Sequence, residues 1–154
     1  EVDVGTTFTL YLPRTSQTRR PTVATSPDQA MAPAIRRILL VEDNHGVGNF
    51  AAGLLKELGQ TVTWVGDGRA ALQALEQEPE AYDLVFSDVV MPGISGIELG
   101  HQIQDRWPGL EVILTSGYSQ VLAEEGNHGF RLLKKPYSIA GLLGALGERP
   151  AAIA

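Results

Sequence analysis

Short apolar segments alternate along the chain with stretches in which apolar residues recur every three or four positions. The short segments are rich in Val, Ile, Leu and Phe and end at polar or turn-forming residues, which is typical of buried β-strands. Five strands are predicted, at Ile38–Val41, Thr61–Val65, Leu84–Phe86, Val112–Leu114 and Phe130–Leu133. The regular alternation of strands with helical stretches predicts a parallel sheet that carries helices on both faces.

Five helices are predicted between and after these strands. Their apolar positions lie within Val47–Leu58, Ala71–Leu75, Ile97–Trp107, Gln120–Glu125 and Ile139–Leu146. Gly59 and the Pro108-Gly109 pair follow two of these helices as stop signals, and Ser138 precedes the last one as an N-cap. The pattern therefore predicts an α/β fold, a doubly wound, flavodoxin-like three-layer sandwich with five parallel strands in the order 2-1-3-4-5.

The residues that precede this pattern predict two further segments. In residues 1–12, threonine alternates with apolar residues after Gly5, which is typical of a β-strand. Residues 13–35 combine prolines with Ser, Thr, Gln, Ala and Arg, a composition that favours a flexible linker. We expect one compact domain over residues 36–148 and a short tail at 149–154. Because residue 1 is not methionine, we also expect the chain to be a piece of a longer one.

Composition and charge argue against several classes of partner. The formal net charge is −6 and residues 38–154 alone carry −8, so the predicted domain is poorly suited to bind nucleic acid. The absence of cysteine excludes disulfides and thiolate metal sites. No apolar run approaches the ~18 residues of a membrane span. We expect a cytoplasmic, monomeric domain that contacts neither nucleic acid nor membrane, and this leaves membrane attachment of a parent protein open.

Polar side chains follow the ends of four predicted strands. After the first, third, fourth and fifth strands these residues are, in order, Glu42-Asp43, Asp88, Thr115-Ser116 and Lys134-Lys135. Because the first and third strands are neighbours in the predicted order, Glu42, Asp43 and Asp88 are expected to cluster at one edge of the sheet. Three carboxylates stay ionised together only beside a counter-charge, and a hard divalent cation with oxygen ligands commonly supplies it.

Four stretches resemble, in the right order, the receiver (response-regulator) domain family. They are LLVEDN, DLVFSDVVMPGISGIEL, VILTSGYS and LLKKPYS, and the resemblance covers Arg36 to about Glu148. It implies a phosphoacceptor domain of a two-component phosphorelay, which takes a phosphoryl group from a phosphohistidine in a Mg²⁺-dependent reaction. The phosphohistidine would belong to the dimerisation domain of a histidine kinase or to a phosphotransfer protein.

The resemblance implies roles for the acidic residues. Asp88 would be the nucleophile that becomes an aspartyl phosphate, and it would also bind Mg²⁺ together with Asp43. Glu42 would act on the metal through water, and the backbone carbonyl of Val90 would be a further ligand.

The resemblance also implies roles for residues at the ends of the fourth and fifth strands. The hydroxyl that contacts the phosphoryl group falls on Ser116, with Thr115 as the alternative. The lysine that neutralises phosphoryl charge falls on Lys135, and its neighbour Lys134 is expected to face solvent.

Some residues around the predicted pocket depart from the family pattern. The family couples phosphorylation to an aromatic residue three positions before the lysine, but Leu132 stands there. Phe130 is a nearby aromatic, and whether it is a switch residue or a core residue stays open. Val90 and Tyr118 stand two positions past the acceptor and past the hydroxyl. Neither side chain is suited to orient a water molecule for in-line attack, so we expect slow self-dephosphorylation.

The histidines His45, His101 and His128 are not expected to carry a phosphoryl group. His101 lies on the third predicted helix, where a polar residue usually faces solvent. His128 stands in a glycine-rich turn, and His45 is expected to be exposed near the mouth of the pocket.

The segment GTTFTLYLP, residues 5–13, resembles the last strand of the histidine-kinase ATPase domain, and we read residues 1–12 as a remnant of that domain. Together with the linker and the receiver, it implies the C-terminal receiver of a hybrid histidine kinase, so that the parent chain would be a phosphotransferase. A free-standing single-domain response regulator that begins at Met31 remains an alternative.

Two alternatives from other classes fit the sequence less well. A haloacid-dehalogenase-like phosphatase requires a second Asp two residues beyond the nucleophile, where this chain has Val90. A flavodoxin-like FMN-binding module requires a hydroxyl-rich phosphate loop after the first strand, where Glu42-Asp43-Asn44 would repel the phosphate.

Overall fold

The structure, a computed structural model, describes residues 34–117 and 129–147. Within these residues the strands are β1 (Arg37–Val41), β2 (Thr61–Val65), β3 (Leu84–Asp88), β4 (Glu111–Ser116) and β5 (Arg131–Lys134). The helices are α1 (His45–Glu57), α2 (Gly68–Gln77), α3 (Gly96–Arg106) and α4 (Ile139–Gly147), and a short 3₁₀-helix covers Pro79–Ala81. No helix in the described part of the chain is long and apolar enough to cross a membrane.

The five strands form one parallel sheet in the order β2-β1-β3-β4-β5. The predicted fold class and strand order are therefore confirmed. β1 and β3 are hydrogen-bonded neighbours, with Val41 in register with Ser87. The residues that directly follow β1 thus lie beside the last residue of β3.

Side chains of successive strand residues point to opposite faces of the sheet and build two apolar layers. On one face, Leu39 and Val85 pack with buried residues of α2 and α3. On the other face, Leu40 and Phe86 pack with buried residues of α1 and α4. Because both faces are covered, the central strands are apolar along almost their whole length.

Side-chain caps fix where the helices begin. Asn44 Oδ1 accepts from the backbone N–H groups of Gly46 and Val47 at the start of α1, and Asp67 Oδ1 accepts from Ala70 N at the start of α2. Ser138 Oγ accepts from Gly141 N at 3.1 Å, which agrees with its predicted capping position. These short polar side chains satisfy N–H groups that have no partner within the helix.

Three predicted strands are longer in the structure, and the fifth begins and ends one residue later. β1 begins at Arg37, β3 continues through Asp88 and β4 covers Glu111–Ser116, because a neighbouring strand pairs with the backbone even where the side chains are polar. The prediction that Phe130 begins the fifth strand was wrong, since β5 begins at Arg131. The Phe130 ring lies directly on Gly100 of α3, where a Cβ would be 2.7 Å from the ring.

Several predictions fall outside the described residues. These concern the strand at residues 1–12, most of the linker at 13–35, the helix at Gln120–Glu125, the side chains of Tyr118 and His128, and the tail at 149–154.

Candidate functional site

Three carboxylates converge where β1 and β3 end. Glu42, Asp43 and Asp88 each place an oxygen within 4.8 Å of the other two. Glu42 is buried, with 4% of its surface exposed, whereas Asp43 is exposed and Asp88 is intermediate. The clustering expected from the strand order is therefore present, and it is open to solvent on the Asp43 side.

The ammonium of Lys135 connects two of these carboxylates. Its Nζ donates to Glu42 Oε2 at 2.7 Å and to Asp88 Oδ2 at 2.9 Å. Burial alone would lower the pKa of Lys135, but the hydrogen bonds to Glu42 and Asp88 outweigh burial and raise that pKa above its ordinary value. Lys135 thus stays charged at neutral pH and offsets one of the three negative charges.

Backbone and side-chain contacts fix Glu42 before any ligand binds. Its backbone N–H donates to Val65 O at 3.2 Å, which extends the pairing of β1 with β2 by one residue. Its Oε1 accepts from Asn44 N at 3.2 Å, while its Oε2 accepts from Lys135. Glu42 therefore contacts the ammonium directly and is held in one position.

The two candidate hydroxyls both lie at the end of β4 and are both buried. Thr115 is in register with Asp88, and Ser116 is in register with Lys134. Thr115 Oγ1 donates to the carbonyl of Ser87 at 3.4 Å, so its hydroxyl is engaged within the sheet. Register places both residues beside the acidic cluster, so both hydroxyls are candidates for contact with a ligand.

The turn after β3 combines an exposed valine with a close glycine contact. Val90, two residues after Asp88, is 60% exposed. A Cβ on Gly96 would overlap the backbone carbonyl of Asp88, so only glycine lets α3 begin against this strand end. The Gly96 N–H donates to Val89 O at 2.9 Å and closes the turn.

Tyr137 is an aromatic residue that stands two positions after Lys135. Its ring packs edge-on against Phe86 at 5.9 Å between centroids, and burial raises the pKa of its hydroxyl. Leu132, at the position where the family has its switch aromatic, is 42% exposed. Phe130 lies before β5, at the opposite edge of the sheet from the carboxylates, and packs against the apolar cluster that includes α3.

The two described histidines each pack against an aromatic ring. His45 is exposed, and its ring packs edge-on against Trp64 at 5.3 Å. His101 lies on α3 with its ring 5.2 Å from Phe130. Both are exposed surface residues, as the sequence predicted.

Sequence reasoning overlooked Trp64, which contacts the site from β2. Its indole Nε1–H donates to the backbone carbonyl of Glu42 at 3.0 Å. In the sequence, Trp64 is only one member of an alternating strand. The signal that could have revealed it is Gly48 on α1, because a Cβ at this position would overlap the Trp64 ring.

The donor set fits a hard divalent cation. The clustered ligand atoms are carboxylate oxygens, which Mg²⁺ and Ca²⁺ prefer to nitrogen or sulfur. With Lys135 protonated, two negative charges remain in the cluster, and a divalent cation would neutralise them.

Comparisons with known proteins agree with this geometry. The family model of the response regulator receiver domain matches residues 38–146. The sensor kinase CckA of Brucella abortus is 32% identical over 96% of this chain, and the receiver protein CpdR of the same organism is 30% identical over 71% of it. The structure of TrrA from Thermotoga maritima, in complex with Mg(2+)-BeF, superposes with a TM-score of 0.66 at 26% identity, covering 73% of this chain and 96% of TrrA.

The relatives differ in how much of their length this chain spans. It covers 92% of CpdR but only 17% of the sensor kinase CckA. The family match nevertheless includes every described strand end that carries a site residue, from Glu42 to Lys135. The chain belongs to the response regulator receiver domain family, the receiver module of two-component signalling systems.

Proposed function

We propose that Asp88 is the phosphoacceptor of this receiver domain. The observation that carries the proposal is the position of Asp88, whose carboxylate lies 2.9 Å from Lys135 Nζ and in one cluster with Glu42 and Asp43. A carboxylate in this position can attack a phosphoryl group, because adjacent positive charge offsets the charge that the group brings.

Mg²⁺ is the proposed cofactor. Asp43, Asp88 and the backbone carbonyl of Val90 would hold it, and Glu42 would act on it through water. The oxygen-only donor set and the two uncompensated charges of the cluster support this assignment, as does the Mg(2+)-BeF complex of TrrA. When bound, the cation would neutralise charge on the phosphoryl oxygens and so favour attack of the Asp88 carboxylate on phosphorus.

The chemical step uses the residues of this chain as follows. A carboxylate oxygen of Asp88 forms a bond to phosphorus as the bond from phosphorus to the donor imidazole breaks, and the imidazole leaves with that electron pair. Lys135 donates to a phosphoryl oxygen, and Ser116 offers its hydroxyl to another. Thr115 is the alternative hydroxyl donor. The product is an aspartyl phosphate, which switches the domain or passes the phosphoryl group on.

The donor is a phosphohistidine of a histidine kinase or of a phosphotransfer protein. Receiver domains of two-component systems accept phosphate from these two classes. We further propose that this receiver, residues 36–148, forms the C-terminal part of a hybrid histidine kinase, joined by the linker at 13–35 to a remnant of the ATPase domain at 1–12. It would be monomeric as an isolated domain and cytoplasmic.

The match to the sensor kinase CckA supports this hybrid origin. The alignment covers 96% of this chain, more than the 73% that superposes on the receiver structure of TrrA, so it extends into residues outside the receiver. Determining the coding sequence upstream of residue 1 tests the proposal. A dimerisation domain and an ATPase domain in the same reading frame are expected, and a start codon at Met31 would contradict it.

A free-standing response regulator is the second candidate. It is favoured by CpdR, of which this chain covers 92%. The chemistry proposed for Asp88 is the same in both cases.

Labelling with acetyl phosphate tests the proposed acceptor. The wild type is expected to incorporate one phosphoryl group in the presence of Mg²⁺ and none with excess chelator. Asp88→Asn removes the nucleophile with little change in shape, so labelling should fall to background. Asp105→Asn, an exposed acid on α3, is the matched control and should label as the wild type does. Equal labelling of Asp88→Asn and the wild type would overturn the assignment.

A further inference from the structure

Trp64 on β2 contacts the turn that carries two of the three clustered carboxylates. Its indole Nε1–H donates to the carbonyl oxygen of Glu42 at 3.0 Å. That carbonyl belongs to the peptide group between Glu42 and Asp43. The hydrogen bond therefore restrains the orientation of the peptide that places Asp43 at the mouth of the site.

The indole ring is itself held by packing. α1 approaches it through Gly48, where any Cβ would overlap the ring. The His45 ring packs edge-on against the indole ring, with 5.3 Å between the two ring centroids. The charge distribution of aromatic rings favours this edge-to-face arrangement. Trp64 also packs against the apolar cluster between the sheet and α1. A ring fixed in this way presents its N–H in one direction.

With Trp64 included, every polar group of Glu42 has a partner. The N–H donates to Val65 O, the carbonyl accepts from Trp64, Oε1 accepts from Asn44 N, and Oε2 accepts from Lys135 Nζ. Asp43, the next residue, is exposed. The hydrogen bonds of Glu42 thus restrain the backbone of the site, and the peptide group that Trp64 contacts restrains the backbone position of Asp43.

We infer that Trp64 is a positioning residue for the Glu42–Asp43 turn, and that its indole N–H sets the affinity of the carboxylate cluster for a divalent cation. This inference rests on the proposed function, since the cation it concerns is the one proposed there. Groups that orient metal ligands without touching the metal contribute to affinity by fixing ligand direction before binding.

Trp64→Phe tests the role of the N–H, because it removes the donor and keeps an aromatic ring beside Gly48. Calorimetry with Mg²⁺ alone should give a dissociation constant about fivefold larger than that of the wild type, the scale of one neutral hydrogen bond. At saturating Mg²⁺, labelling by acetyl phosphate should return to within about twofold of the wild-type rate, because only affinity is changed. An equal dissociation constant for the variant and the wild type overturns the inference.

A second pair of variants moves the ring without removing it. Gly48→Ala should displace the indole and weaken Mg²⁺ binding in the same direction as Trp64→Phe. Gly53→Ala is the matched control on the same helix, because a Cβ there meets nothing within 4 Å. Equal Mg²⁺ affinity of the two alanine variants overturns the inference.

Fluorescence gives a readout that leaves Trp64 in place. The chain has two tryptophans. Trp107 lies at the end of α3, under the Arg106 guanidinium and at the far edge of the sheet. In Trp107→Phe, emission then comes from Trp64 alone and should change on Mg²⁺ addition with the midpoint found by calorimetry. Unchanged emission at saturating Mg²⁺ overturns the inference.

These outcomes separate the two proposals. A wild type that binds Mg²⁺ and labels, beside a Trp64→Phe variant of equal affinity, overturns only the role of Trp64. A wild type that neither binds Mg²⁺ nor labels overturns the proposed function and the role of Trp64 together.

Discussion

The ammonium of Lys135 lies 2.9 Å from Asp88 Oδ2, although 47 positions separate the two residues in the sequence. The parallel sheet brings them together, because β3 and β5 both end at the same edge with β4 between them. Glu42 completes the arrangement by accepting from the same ammonium at 2.7 Å. One lysine thus connects the ends of β1, β3 and β5.

Lys135→Met should separate metal affinity from chemistry. The variant removes the ammonium group that offsets the charge of the carboxylates, so Mg²⁺ should bind at least as tightly as in the wild type. Labelling of Asp88 at saturating Mg²⁺ should fall by about 100-fold or more, because one donor to the phosphoryl oxygens is lost. Calorimetry and acetyl phosphate labelling measure the two effects. Lys134→Met, at the exposed neighbouring position, is the control and should change neither.

The same substitution should lower stability. Without Mg²⁺, we expect the free energy of unfolding of Lys135→Met to be about 1–3 kcal/mol lower than that of the wild type. The reason is that Glu42 is left as a buried carboxylate without the ammonium of Lys135. The value lies below that of a fully buried pair because the Lys135 side chain keeps 19% exposure. Urea unfolding in the presence of a chelator measures the difference. A loss equal to that of Lys134→Met would contradict this account.

Ser116→Ala and Thr115→Val distinguish the two candidate hydroxyls. Ser116→Ala should slow labelling several-fold, because the phosphoryl group loses a donor. Thr115→Val keeps the side-chain shape and removes a hydroxyl that donates to Ser87 O, so it should mainly lower stability. Initial rates of labelling and urea midpoints, measured on both variants, decide between them. A labelling defect confined to Thr115→Val would transfer the role to Thr115.

Asp83 gives a pH-dependent contribution to stability at the other edge of the sheet. Side-chain and backbone hydrogen bonds from Arg37 hold the pKa of Asp83 below its ordinary value of 3.8. Because the pKa of Asp83 is lowered by folding, its ionised carboxylate stabilises the folded state above pH 3.8. This stabilisation is lost as the pH falls through the folded-state pKa of Asp83. Asp83→Asn should therefore be less stable than the wild type at pH 7, and the difference should shrink below pH 3.8. Urea midpoints across this range measure it, and a constant difference would contradict the assignment.

The exposed Val90 predicts a long-lived aspartyl phosphate. Its side chain cannot hydrogen-bond a water molecule beside the phosphoryl group, so self-dephosphorylation should be slow. Val90→Asn should shorten the half-life several-fold, because an amide can orient the attacking water. The half-lives of both proteins are measured from the loss of label in Mg²⁺ buffer after acetyl phosphate has been removed. A wild-type half-life of seconds would refute the prediction.

The sequence was sufficient to predict the fold and the convergence of Glu42, Asp43, Asp88 and Lys135. Apolar runs mark the strands, and the ends of parallel strands meet at one edge whatever the details of packing. Strand ends were less predictable, since β3 continues through Asp88 by pairing with Thr115 of β4, and β4 continues through Ser116 by pairing with Lys134 of β5. Because the side chains at these positions are polar, the apolar pattern predicted that the strands end earlier than their backbone pairing does.

Contacts that depend on two distant elements could not be predicted from the sequence. Trp64 reaches the Glu42 carbonyl only because α1 has Gly48 beneath its ring. The Phe130 ring likewise lies on Gly100 of α3, where a Cβ would be 2.7 Å from it. In both cases a glycine on a helix leaves room for an aromatic ring from another part of the chain.

The residue that carries the phosphoryl group is found most directly by labelling the wild type with acetyl phosphate and Mg²⁺, digesting the protein at low temperature and locating the modified residue by mass spectrometry. We expect a single phosphoryl group on Asp88, in the peptide that carries β3. A phosphoryl group on Asp43, on Glu42 or on any histidine, with Asp88 unmodified, would contradict it.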